Sequence, residues 1–233
     1  MVFAYGRSVF HDGYLSSTGM VYGSLKPLAS VSFTNPFPVT PINQFTIGLW
    51  VKRLVCVNTQ SLLLSCKSAF ELTTTTALTA SIFDIGISSA VGSKGSACIN
   101  EWTQIVVTFK SRIIQLYLNG LKDGTSGLTQ DASKVMGSSN EWCYLGNNKT
   151  VYGVLNGVTG YVRHLYIISV GLNEEEVLGQ VHVYHKWTPE TLFYSEIDES
   201  LNDKYKHGIS MASSGDFSFV KTNEPEFSCY CTG

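Results

Sequence analysis

The chain has 233 residues, enough for one large domain or two small ones that bury a core without staples. Charged residues make up 15% against 44% hydrophobic and 12% aromatic, with 21 glycines, which excludes disorder, coiled coil and long solvated helices. Sixteen basic and 18 acidic residues leave a net charge of −2, without the positive footprint of a nucleic-acid binder, and no apolar run reaches the roughly 18 residues of a transmembrane segment.

Residues 1–28 read as an N-terminal extension. They open on MVFAYGRSVFHDG, which has no basic stretch leading into an apolar one and so no secretory leader. The compartment stays open: intracellular if Met1 is the natural start, extracellular or cell-surface if the chain is cut from a longer one. From residue 29 onward the dominant signal is a series of short β-type runs punctuated by Gly, Asn, Ser and Pro. ASVSF (29–33) precedes a turn-rich segment holding Pro36, Pro38 and Pro41. In FTIGLWVKRLV (45–55), Phe45, Ile47, Leu49 and Val51 share one face by the period of two. SLLLSC (61–66), AFEL (69–72), LTASIFDIGI (78–87) and ACI (97–99) continue the series.

The clearest hairpin joins WTQIVVTF (102–109) to IIQLYLNG (113–120), with Asn119-Gly120 expected to close it. EWCYLG (141–146) and GVTGYVRHLYIIS (157–169) are further strands. One helix is expected within 171–187, capped by Asn173 with Glu176 three residues on. Residues 186–233 are more polar and too poor in apolar residues for a core of their own. They are expected to add edge strands or to wrap the rest. Strands separated by turns, with one short helix, predict an all-β fold of two antiparallel sheets packed face to face.

The six cysteines follow no C-x-x-C spacing, so no zinc or thioredoxin-type site is indicated. Cys56 and Cys66 are placed to face each other across a hairpin, and Cys229 and Cys231 to project to one side of a tail. Without a leader, reduced thiols are the expectation.

The order FTIGLWVK, CINEWTQIVVTF, IIQLYLNG, YLGN and GVTGYVRHLYIISVGLNEEEV resembles the laminin-G-like, concanavalin A-like jelly-roll family over about residues 29–183. The resemblance implies a two-sheet sandwich with a concave face and a rim of loops. Relatives use that rim for sugars, calcium or protein partners, and some are glycoside hydrolases. The chain departs from the family where the penultimate strand commonly carries an acid: GYVRHLY has Arg163 and no carboxylate. The jelly roll is expected to span 29–185, followed by the C-terminal extension.

Catalytic readings find little support. Retaining hydrolysis needs two carboxylates about 5 Å apart. EIDES (196–200) has Ser200 where glucanase motifs put a second glutamate, and Glu199 alternates away from Asp198. No G-x-S-x-G elbow is present. His182 and His185 lack further ligands at metal spacing, and His164 reads as a satisfied histidine beside the core. Asp84, Asp123 and Asp131 are isolated, so no cofactor is expected, with calcium the one ion left open.

Sugar recognition has the best composition. EWCYLGNNKTVYG (141–153) supplies aromatic faces for stacking and amides for hydroxyls. Its candidates are Asn147, Asn148 and Tyr152 in the loop, with Trp142 on the strand. Trp142 and Tyr144 share a face, and a core role is the alternative for both. The expected function is therefore a non-catalytic glycan-recognition module. The alternative is a structural protein-interaction domain in a larger assembly, with Tyr22, Phe37, Phe193, Tyr194, Phe217 and Phe219 as surface-capable aromatics, which would otherwise complete the domain's own core. Hydrolysis is the reading supported least.

Overall fold

The computed structural model describes residues 20–55, 61–66, 69–75, 78–84, 87–92, 100–125, 141–147, 156–180, 188–197, 200–204 and 209–222. In chain order the first strands are β1 Met20–Leu25, β2 Ser30–Thr34, β3 Gln44–Arg53, β4 Ser61–Cys66, β5 Phe70–Thr74, β6 Leu78–Asp84, β7 Ile87–Gly92 and β8 Trp102–Lys110. There follow β9 Ile113–Leu118, β10 Leu121–Thr125, β11 Trp142–Gly146, β12 Asn156–Gly157, β13 Gly160–Ile168, helix α1 Glu174–Gln180, β14 Thr191–Ser195, β15 Met211–Ser214 and β16 Ser218–Thr222. Residues 97–99, expected as a strand, lie outside the described residues.

The strands form two eight-stranded sheets, the antiparallel sandwich that the alternation predicts. One sheet runs β10-β9-β8-β3-β13-β1-β16, with β14 also on β13; the other runs β15-β2-β11-β4-β5-β6-β7, with the short β12 parallel to β4. Between them lies one large core, in which Phe45, Ile47, Leu49 and Val51 of β3 meet Val31 and Phe33 of β2, Leu64 of β4 and Leu72 of β5. Alternation is therefore read correctly for β3: its period-two face is the inner one.

The segments flanking 29–185 both supply strands. β16 pairs with β1, setting Met20 opposite Thr222, while β15 pairs with β2 and β14 with β13. Of the two expectations for the C-terminal segment, added strands is the one its pairing follows. Most of the six surface-capable aromatic residues do not face outward. Tyr22, Phe37, Phe193 and Tyr194 are buried, Phe193 stacks on Phe33 with centroids 4.4 Å apart, and Phe219 alone of the six is exposed. Phe37 and Phe193 join the domain's own core with Phe217 packed against it, so most of the aromatic support for an interaction surface falls away.

Two local corrections concern turns and thiols. The β8–β9 hairpin is closed by Ser111-Arg112, both at positive φ, and Asn119-Gly120 closes the next one, β9 to β10. Both turns have the twist that suits a two-residue reversal between right-twisted strands. Cys66 and Cys143 are opposite each other in the β4–β11 register and form a disulfide, so the expectation of reduced thiols fails for this pair. Its partner assignment depends on which strand lies beside β4, a relationship between segments 77 residues apart. Cys56, Cys98, Cys229 and Cys231 lie outside the described residues.

The helix start matches its expected cap. Asn173 N–H donates to Glu176 Oε2 at 2.7 Å and Glu176 N–H donates to Asn173 Oδ1 at 2.9 Å, a reciprocal capping box. Val177 is the buried residue of α1 and joins Val106 and Tyr117, so the helix covers the outer side of β8 and β9. Among the described residues no helix covers β11 on the opposite sheet, and that difference positions the candidate site.

Candidate functional site

Trp142 begins β11, whose neighbours are β2 and β4. Cys143 and Leu145 point into the core and are fully buried, so Trp142 and Tyr144 point the other way. Trp142 is 46% exposed and Tyr144 half-buried, which overturns the core alternative for this pair. Period two assigns residues to a common face; the direction of that face is set by the packing.

The surroundings of the two rings are short and polar. Trp142 stands opposite Thr34 and Tyr144 opposite Ser32, with Ser65 of β4 on the other flank of Tyr144. Ser32 Oγ donates to the Ala212 carbonyl of β15 at 3.3 Å. An indole with small hydroxyl neighbours leaves its face open for stacking, the arrangement that sugar rings use.

Asn147 has a different position. It follows Gly146 at the other end of β11, so five strand steps, about 16 Å, separate it from Trp142. It is buried: its Nδ2 donates to the Pro27 carbonyl at 2.9 Å and its backbone N–H to the Ala29 carbonyl at 3.0 Å. The amide thus ties β11 to the 26–29 turn that joins β1 to β2. Asn147 and Trp142 are not brought together, and Asn148 and Tyr152 lie outside the described residues.

The other candidates divide similarly. His164 is buried, with Nδ1 3.1 Å from the Tyr194 hydroxyl, as expected of a satisfied histidine. It stands at φ 52° where one edge of β13 passes from β1 to β14, and its backbone N–H donates to the Glu196 carbonyl. Burial, and then the charge of Arg163, hold its pKa well below 6.5. His182, His185, Asp131, Asp198 and Glu199 lie outside the described residues. Among the described residues no three His, Cys, Asp or Glu side chains cluster as a metal site. No described helix is long and apolar enough to cross a membrane.

One residue of note was not singled out from sequence. Arg53 ends β3 on the inward face and is 2% exposed. Its signal was present: the alternation Phe45, Ile47, Leu49, Val51 continues onto Arg53, placing a cation in a core register.

Comparison with known proteins agrees with this architecture. A family model described as the concanavalin A-like lectin/glucanases superfamily matches residues 29–178. No curated protein matches the chain. Among solved structures, a putative carbohydrate binding protein from Bacteroides ovatus superposes with a TM-score of 0.68 at 15% identity over 89% of this chain. This chain spans 61% of that protein's length. The heptameric SAP-like pentraxin of Limulus polyphemus gives a TM-score of 0.61 at 11% identity, covering 88% of this chain and 96% of that one. Botulinum neurotoxin type C, whose cell entry depends on two ganglioside molecules, gives 0.54 at 14% identity over 71% of this chain and 42% of its own. At such identities the likeness is one of fold.

Proposed function

The chain belongs to the concanavalin A-like lectin/glucanases superfamily, and from that premise we propose that it is a non-catalytic recognition module that binds a glycan. The observation that carries the reading is Trp142, 46% exposed on the outer side of β11 beside Tyr144 and the short hydroxyl residues Thr34 and Ser32. What sets Trp142 apart from other exposed apolar residues is that Tyr144 shares its outer face, so two aromatic rings stand together on one strand, as a stacking surface for a sugar requires. Carbohydrate-binding structural neighbours lend the same direction to the proposal.

Trp142 stacks on the sugar ring, and hydroxyls beside it order the sugar's own. Asn147, tied to Pro27 at the far end of β11, is no part of this face, and Asn148 and Tyr152 are the other candidates for contact with a glycan. Glycan-array screening of the full chain tests the function, and binding assays on Trp142→Ala test the stacking face. Loss of binding with an unchanged melting temperature is expected. An array without any bound glycan would remove the reading. Normal binding by Trp142→Ala, with loss in Asn148→Ala/Tyr152→Ala, would move the site to the loop alone.

A further inference from the structure

Among the described residues no carboxylate forms an ion pair with Arg53, a buried cation. Its Nη2 donates to the Thr75 carbonyl at 2.7 Å, across the gap between the sheets, while Nε and Nη1 have no hydrogen-bond partner. Burying a guanidinium is costly unless its donors are used, and one neutral carbonyl leaves most of that cost uncompensated. A methionine of similar length would fill the same register without it. The retained charge therefore points to a ligand.

Other orphaned groups lie at the same end of the sandwich. Ser61, the first residue of β4, pairs with Thr74, the neighbour of Thr75; its Oγ is buried and has no partner. Asn147 emerges from β11 at this end, and its buried Oδ1 has no partner either. Gly160 sits opposite Arg53, where a Cβ would run into the Lys52 carbonyl oxygen, so the two strands approach closely beside the arginine. Leu54 and Val55, next along the chain, are 42% and 48% exposed. Arg53, Ser61 and Asn147 thus share the end of the sandwich opposite to the one at which Trp142 stands.

We infer that this end of the sandwich is a second binding site, which takes the carboxylate of an acidic sugar onto Arg53. The chemistry is complementary: Arg53 Nε and Nη1 and the Ser61 hydroxyl donate to the carboxylate, and Asn147 Oδ1 accepts from a ring hydroxyl. In a dry setting the charge-assisted bonds are stronger than at the surface. The site is independent of the Trp142 face, so either can fail while the other stands.

Isothermal titration of the full chain with glucuronate, acetate and glucose at fixed ionic strength tests it. Saturable binding of glucuronate without glucose binding is expected. Glucuronate binding tighter than acetate identifies the acidic sugar as the source, whereas equal binding identifies a simple carboxylate and overturns the sugar assignment. Arg53→Met is expected to abolish glucuronate binding, with a melting temperature equal to or above that of the unaltered chain. Arg53→Lys keeps the charge but loses the planar donors, and a drop in affinity of tenfold or more is expected if Arg53→Met fails to fold. Trp142→Ala is expected to retain glucuronate binding. No saturable carboxylate binding, or binding undiminished in the arginine variants, would overturn the proposal.

Discussion

Tyr166 lies over Gly48: the two face each other across β3 and β13, and a Cβ at Gly48 would fall inside the tyrosine ring. The glycine is thus a seat for an aromatic side chain on the outer side of the sheet. Tyr166 is buried there with Ile168 and Tyr194.

Gly48→Ala is expected to lower stability by about 1–3 kcal/mol, the range for forcing extra volume into a packed position. Urea unfolding would show a lower midpoint at an unchanged m-value. In the Tyr166→Ala background the same substitution should cost much less. Equal costs in the two backgrounds would show that the ring and the glycine are not coupled.

The Cys66–Cys143 disulfide closes a loop between residues 77 apart, and chain entropy assigns such a crosslink about 4.5 kcal/mol. Reducing agent, or Cys66→Ser/Cys143→Ser, is expected to lower the unfolding midpoint accordingly. Free-thiol titration of the native protein provides the direct check: Cys66 and Cys143 should not react until the chain is unfolded and reduced.

Stability is expected to fall with acid through His164. Its folded pKa lies well below 6.5 because burial, and secondarily Arg163, disfavours the imidazolium. Below pH 6.5 the unfolded chain binds the proton that the native chain refuses, so stability is fully present above that pH and declines beneath it. The slope approaches about 1.4 kcal/mol per pH unit until the folded-state pKa is reached. Urea midpoints from pH 8 to 5 measure it, and His164→Gln should flatten the profile in this interval. An unchanged profile would assign the acid sensitivity to other groups.

Asn173→Ala removes one half of the capping box and is expected to cost about 1 kcal/mol. Glycine at the same position should cost a few tenths. Thermal unfolding of the two variants side by side distinguishes the cap from a general sensitivity of the region.

What the sequence disclosed was local, and what it concealed was long-range. β3, the β8–β9 hairpin and the Asn173 cap are written in neighbouring residues, through period-two alternation and a three-residue spacing. The direction of Trp142 was hidden because alternation is symmetric until something states which side is dry. The Cys66–Cys143 bond was hidden for a related reason, since it needs β11 to lie beside β4 in one register. Asn147 had the right chemistry for a sugar contact, but its amide is engaged by a turn about 120 residues earlier in the chain. Arg53 stood in plain sight at the end of an apolar alternation, and only its burial gives it meaning.

The antiparallel pair formed by Met20 and Thr222 has an architectural consequence. Entry to and exit from the described sandwich are neighbours, about 5 Å apart, the distance across one rung of a ladder. A host protein could accept this unit within a surface loop without separating the loop's own ends. Conversely, a short tether between those two positions would allow the backbone to be reopened elsewhere, a circular permutation that leaves every rung in place.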